Sequence, residues 1–183
     1  ILNYLQQTFR YPTEFTTLLY ASQMLQAEAI KYGVEHFRRN RGRCMGAIYW
    51  QLNDCWPVAS WASVDYEGRW KALHYYAKRF FAPVMVSCEE QNWMTAEANM
   101  NREHFVYEKS IRLNVTNETL EDKKVLVKWA LRNADASVVK AEEQEVTVPA
   151  LSSVWLDKEE YPDVDVFGQY VSYEAWEGDT CIS

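Results

Sequence analysis

Between Tyr49 and Trp61 the chain reads Tyr49-Trp50-Gln51-Leu52-Asn53-Asp54-Cys55-Trp56-Pro57-Val58-Ala59-Ser60-Trp61. A few residues on it continues as Val64-Asp65-Tyr66-Glu67-Gly68-Arg69-Trp70-Lys71-Ala72-Leu73. Three tryptophans, Trp50, Trp56 and Trp61, stand beside two amides and a carboxylate, Gln51, Asn53 and Asp54. Flat indole faces suit the C–H side of a sugar ring, and amides and carboxylates suit its hydroxyls. The chemistry this mixture supports is carbohydrate recognition, with those six residues as candidate substrate contacts. Each also has a plainer use. Asn53 and Asp54 could cap turns, and Trp56, ahead of Pro57, and Trp61 could fill a core. Asp65 and Arg69 are spaced as a loop ion pair that fixes the following helix, a structural role.

Other chemistries find no constellation. His36, His74 and His104 are far apart in different elements, and none is placed as a metal ligand or a triad member. Cys44, Cys55, Cys88 and Cys181 form no C-x-x-C pair, so they read as free thiols, with a single disulfide as the competing possibility. Glu14, Glu28 and Glu35 fall on a helical segment, where solvated or capping roles are the default. No metal and no cofactor is implied.

The elements that must position the aromatic segment follow from periodicity. Phe15, Leu18, Leu19, Leu25, Ala29, Val34 and Phe37 recur at three- and four-residue steps, and Pro12 precedes them, which predicts a long amphipathic helix over 14–39. Arg38 to Arg43 fits the negative end of that helix dipole as a solvated terminus, with Gly42 as terminator. Cys44 to Trp50 is a continuous apolar run of the kind buried parallel strands show. An irregular stretch from Gln51 to Gly68 and a second helix over 69–80, closed by Pro83, complete the order helix, strand, loop, helix. That is a β/α unit, in which sites form where the loop leaves the strand's C-terminal end.

From Val84 the period changes to two. Ile111, Leu113 and Val115 alternate with Arg112 and Asn114; Val125, Val127, Trp129 and Leu131 alternate with Lys128 and Arg132; Val146 and Val148 flank Thr147. Turn-like clusters at 116–118, 133–135 and 149–152 separate these runs, and 154–156 and 169–176 read as further strands. Short strands at this spacing predict an immunoglobulin-like β-sandwich, with a domain boundary near Pro83. The sequons at Asn114 and Asn117 read as polar triplets in a strand turn.

Composition narrows the partners. The 183 residues carry a net charge of −7, and the one dense basic run, Arg38 to Arg43, is too short for the extended basic surface that nucleic acid or an anionic membrane requires. No stretch has the run of about 18 apolar residues of a membrane span, and the N-terminus lacks the order of an export signal. The compartment is left open; a bacterial source would favour the cytoplasm. The chain has 8 Trp and 12 Tyr, a density that favours large cores or sugar-stacking surfaces.

The run Tyr49 to Trp61 with Asp65-Tyr66-Glu67-Gly68-Arg69-Trp70-Lys71-Ala72-Leu73-His74-Tyr75-Tyr76-Ala77-Lys78-Arg79-Phe80-Phe81-Ala82-Pro83-Val84 closely resembles the last barrel strand and following helix of β-mannosidases of glycoside hydrolase family 2. Ser22 to Ala29 and Glu35-His36-Phe37-Arg38-Arg39 resemble the preceding helix. The resemblance implies the C-terminal portion of a (β/α)8 TIM barrel over 1–83 followed by an immunoglobulin-like β-sandwich over 84–183. It implies a parent that is a retaining exo-β-mannosidase, hydrolysing terminal β-D-mannose from oligosaccharides. Trp50 would lie against the sugar, with a cis Trp50–Gln51 bond. The Gln-Leu-Asn-Asp order after Trp50 favours mannosidases over galactosidases or glucuronidases.

Retaining glycosidases need two carboxylates about 5–5.5 Å apart. In the resembling family both are glutamates on earlier barrel strands, and no position here matches them. A whole barrel takes about 250 residues, of which about 80 belong to one here. The chain alone is therefore expected to be inactive, to supply one wall of the sugar site, and to need the remainder of the barrel as its partner. The competing reading is a non-catalytic carbohydrate-binding or structural β-sandwich fragment.

Overall fold

The computed structural model describes residues 2–93, 95 and 107–183. His104 lies outside them. The chain divides into two compact units, Ile1–Arg38 with Cys44–Ala82, and Arg39–Arg43 with Pro83–Ser183.

The first unit contains three helices: α1 (Leu2–Thr8), α2 (Phe15–Arg39) and α3 (Ala72–Phe80). Helix α2 matches the predicted span, but its apolar stripe is only partly covered. Ala27 and Val34 are buried, whereas Phe15, Leu19, Tyr20 and Phe37 are exposed. Glu35, expected on a solvated face, is buried, and Glu28 accepts a 2.7 Å hydrogen bond from the Tyr76 hydroxyl on α3. Helix α3 begins three residues later than predicted. Asp65 to Gly68 forms a tight turn (Gly68 N–H to Asp65 C=O, 3.0 Å), Gly68 adopts φ +80°, and Lys71 is still extended at the cap.

The predicted buried strand over 44–50 does not form a ladder. Among the described residues, 44–50 belongs to no strand, and Met45, Ile48 and Trp50 are exposed. A strand's peptide groups are satisfied only by neighbouring strands, and none lies beside this run among the described residues.

The second unit is a β-sandwich with seven strands among the described residues: β1 (Val84–Gln91), β2 (Ser110–Asn117), β3 (Lys123–Asn133), β4 (Val138–Val148), β5 (Ser152–Glu160), β6 (Gln169–Glu177) and β7 (Thr180–Cys181). The strand orders are β1-β2-β5 and β4-β3-β6-β7, antiparallel throughout. The period-two pattern sets the register. Val86 pairs with Val115 in one sheet and Val127 with Ala175 in the other, so their side chains share the inner faces. One core joins both sheets, with Val84, Val86, Leu113 and Val115 against Val125, Val127, Val146 and Val148. Each fully buried valine contributes about 1.5–3 kcal/mol relative to leaving it in water.

The arginine run also departs from expectation. The Arg39 guanidinium is buried and donates to the Cys88 carbonyl at 3.0 Å, and Arg41 donates to the Glu118 carboxylate at 2.9 Å. Within the first unit, Arg38 donates to the Phe80 carbonyl at 2.7 Å. Arg38, Arg39 and Arg41 thus reach distant acceptors rather than water, Arg43 stays exposed as expected, and Gly42, at φ +97°, turns the chain out of the helix. The two sequon asparagines are buried. Asn117 donates to the carbonyls of Glu121, Val148 and Pro149 and accepts from the Thr119 N–H and hydroxyl, while the Asn114 side-chain oxygen accepts from Thr116 and Ser153.

Candidate functional site

The aromatic segment folds into a loop that is braced from inside. Ser63 N–H donates to Gln51 C=O (3.0 Å), Val64 N–H to Leu52 C=O (2.8 Å), Asp54 N–H to Val64 C=O (3.1 Å) and Lys71 N–H to Ser63 C=O (2.9 Å). Short bridges thus align 51–54 parallel to 63–64, and Val64 antiparallel to Trp70. Helix α2 contributes two clamps: the Gln26 amide donates to the Trp61 carbonyl at 2.7 Å, and Gln23 accepts from the Ala72 N–H at 3.2 Å, capping the start of α3.

All six candidate contacts lie on this loop or at its entry, in three kinds of surroundings. The tryptophans are presented outward, with Trp50 73%, Trp56 60% and Trp61 56% exposed. Core packing of Trp56 and Trp61 is therefore not realised in this chain. The Trp50–Gln51 peptide bond is cis, as the resemblance implied. Gln51 is half-buried and donates from its amide nitrogen to Asn53 C=O at 3.1 Å; the exposed Asn53 donates to Asp54 C=O at 3.2 Å.

Asp54 differs from the rest. Only 6% exposed, it accepts from the Ser60 hydroxyl at 2.6 Å on one oxygen and from the Lys71 ammonium at 3.3 Å on the other. Lys71 also reaches the Ser60 carbonyl at 3.3 Å, and Ser60 in turn accepts from the Ala62 N–H at 3.1 Å. A carboxylate removed from water is tolerated when it is paired and hydrogen-bonded, and here it is both. Asp54 thereby locks the loop's base, a capping role extended by an ion pair.

Asp65 and Arg69 form the expected pair, with Arg69 Nε at 2.6 Å from one carboxylate oxygen and its backbone N–H at 2.9 Å from the other. The Arg69 N–H, with the guanidinium adding to it, holds the Asp65 carboxyl below its ordinary range. On α3, desolvation raises the Tyr76 hydroxyl to about 12, and the neighbouring Glu28 charge adds to that rise. Sequence reasoning passed over Ser60, Ser63 and Lys71, because single serines and a lysine inside a Trp-rich stretch carry no periodic signal. Among the described residues no group of His, Cys, Asp and Glu side chains could hold a metal ion.

With this geometry in hand, comparison with known proteins adds the family. Residues 109–183 match the Mannosidase Ig/CBM-like domain family. β-Mannosidase of Capra hircus is 49% identical over 39% of this chain and 9% of its own, and β-mannosidase B of Aspergillus niger is 41% identical over 54% of this chain and 12% of its own. The crystal structure of β-D-mannosidase from Dictyoglomus thermophilum superposes on 99% of this chain and 20% of that one, with a TM-score of 0.81 and 28% identity. The chain is similar to β-mannosidases over these spans, and residues 109–183 of its sandwich carry the match to the Ig/CBM-like domain family. The chain spans only about a tenth of the length of the curated β-mannosidases it matches, 9% and 12% in these two cases. An exo-chitosanase from Amycolatopsis orientalis, at 17% identity and a TM-score of 0.72, shares the fold.

Proposed function

We propose that this chain is the sugar-wall segment of a retaining exo-β-mannosidase that releases terminal β-D-mannose from oligosaccharides. The observation that carries the reading is the loop of 50–61, whose tryptophans face outward while its polar base is tied internally, in a chain similar to β-mannosidases. In this reading 1–83 is the end of a (β/α)8 barrel, and the 44–50 run becomes its last strand once the preceding strands lie beside it. The exposed apolar side chains of Met45, Ile48 and Leu19 would then be covered by the rest of the barrel.

Trp50 stacks on the mannose ring, with Trp56 and Trp61 bordering the subsite. Gln51 and Asn53 offer their side-chain carbonyl oxygens to hydroxyl donors. Asp54 acts through the loop it locks rather than on the sugar. The nucleophile and the general acid/base, two glutamates about 5–5.5 Å apart in a retaining enzyme, come from outside the chain.

The test uses the complete protein that contains this chain. It should cleave an aryl β-D-mannoside with initial release of β-mannose by proton NMR, and Trp50→Ala should lower kcat/KM by about 100-fold or more, the scale of a lost positioning contact. The isolated 183-residue chain should show no cleavage. Activity in the isolated chain, or α-mannose as first product, would overturn the reading.

A further inference from the structure

Ser63 is completely buried, two residues beyond Trp61, in a segment with no evident chemistry of its own. Its contacts fall on both sides of Trp50. The backbone N–H donates to Gln51 C=O at 3.0 Å, the hydroxyl donates to Leu52 C=O at 2.9 Å, and the hydroxyl oxygen lies 2.9 Å from the Tyr49 hydroxyl and 3.2 Å from His74 Nδ1. One residue therefore holds positions 49, 51 and 52, the residue before Trp50 and the two after it. The Ser63 carbonyl accepts from Lys71 N–H, which joins this clamp to the Asp54 lock.

Counting protons assigns the remaining roles. A serine hydroxyl has one proton to donate and two lone pairs to accept with. A backbone carbonyl can only accept, so the proton lies toward Leu52. The Tyr49 hydroxyl and His74 Nδ1 must then both donate to Ser63, which fills both lone pairs. His74 therefore carries a proton on Nδ1 whether its ring is neutral or cationic. The Trp70 ring, 4.4 Å from the His74 ring centroid to centroid, braces it edge-on, and the Tyr49 ring stacks on Phe81 at 6.2 Å.

We infer that Ser63, saturated by Tyr49 and His74, is a positioning residue that sets the placement of Trp50 and Gln51 at the sugar subsite. The inference rests on the reading of the loop as a mannose subsite. It adds a tautomer-specific role for His74, a side chain with no substrate contact.

The test again uses the complete protein, assayed on an aryl β-mannoside and labelled with 5-fluorotryptophan, the Trp50 resonance being identified by its loss in Trp50→Phe. Ser63→Ala should move the Trp50 resonance and lower kcat/KM by about 10- to 100-fold, chiefly through kcat. His74→Asn, whose amide nitrogen stands near the Nδ1 position, should keep kcat/KM within about threefold, whereas His74→Gln, whose amide reaches the Nε2 position, should fall with Ser63→Ala. Tyr49→Phe removes one donor and should move the same resonance; it serves as the decisive variant if Ser63→Ala does not fold. An unmoved Trp50 resonance with wild-type kinetics in a folded Ser63→Ala or in Tyr49→Phe overturns the inference, as does equal behaviour of His74→Asn and His74→Gln. If the wild-type protein does not cleave the mannoside, the functional reading fails while the fluorine spectrum still decides the positioning role.

Discussion

Replacing Lys71 by Met should unlock the candidate loop by a predictable amount. In the folded chain the Lys71 ammonium lies 3.3 Å from a carboxylate of Asp54 whose side chain is only 2% exposed. At that separation, with the effective dielectric constant of about 20 that suits partly buried pairs, the attraction is about 5 kcal/mol. Most of it offsets the cost of taking both charges out of water. What the variant loses is set by the uncompensated carboxylate left behind, and breaking a buried pair from one side costs about 3–5 kcal/mol. Ser60 still donates to Asp54, which places the expected loss toward the lower end of that range.

The assay is hydrogen exchange on the complete protein, read at the amides of Asp54, Ser63 and Val64, which are bonded within the loop. A loss of about 3 kcal/mol corresponds to about a hundredfold faster exchange there, limited by the opening energy the loop has to lose. Strands β2 and β3 of the sandwich serve as the internal control and should be unaffected. Pairing Lys71→Met with Asp54→Asn should restore part of the protection, because the double variant leaves no unpaired charge. The reasoning is refuted if Lys71→Met leaves exchange at Ser63 and Val64 unchanged, or if the double variant is as unprotected as the sum of the two singles.

Tyr76 should titrate at about 12 rather than 10, chiefly because burial disfavours the phenolate and secondarily because Glu28 sits against it. The sign follows: the folded form holds this proton more tightly than the unfolded chain, so the associated stability is intact below pH 10 and is lost as pH rises from 10 to about 12. A 13C-tyrosine titration should locate the step, and Glu28→Gln should lower it only in part, since desolvation remains. Asn117→Ala should cost at least about 2 kcal/mol, because it leaves carbonyls of Glu121, Val148 and Pro149 and the Thr119 N–H without their side-chain partner. Faster exchange at the β2 end and the β3–β4 strand ends checks it.

How much of this was legible from the residues depends on where each element finds its partners. The inner faces of β2 and β3 follow directly from Ile111, Leu113, Val115 and from Val125, Val127, Trp129, because their apolar side chains alternate with polar or smaller ones, although Asn114 and Thr116 on the other side of β2 are buried as well. Strand β1 escaped notice for the converse reason. Met85 and Ser87 are as buried as Val84 and Val86, so the alternation that marks a strand is missing. Arg39 looked like a solvated helix end because its acceptor, the Cys88 carbonyl, lies 49 positions along the chain and leaves no local trace. Asn117 looked like a turn residue but ends strand β2, and its side chain is held by carbonyls of residues 148 and 149. The run 44–50 shows the limit most directly: its continuous apolar composition predicted a strand, and among the described residues it forms none.

The loop itself divides labour by polarity, and that division constrains how a sugar could be recognised. Asp54, the one carboxylate among the six candidates, has both oxygens engaged by Ser60 and Lys71. The amide nitrogens of Gln51 and Asn53 donate to backbone carbonyls inside the loop. Each of these amides keeps its carbonyl oxygen and one further N–H, so both side chains can still accept and donate. In the proposed reading, a sugar on this wall would meet indole faces together with amide groups able to accept or donate. In the proposed reading, the acid that protonates the leaving oxygen comes from the opposite wall. With Asp54, Lys71 and Ser63 holding the backbone on both sides of Trp50, the indole is already placed, so in the proposed reading sugar binding need not spend free energy on ordering it.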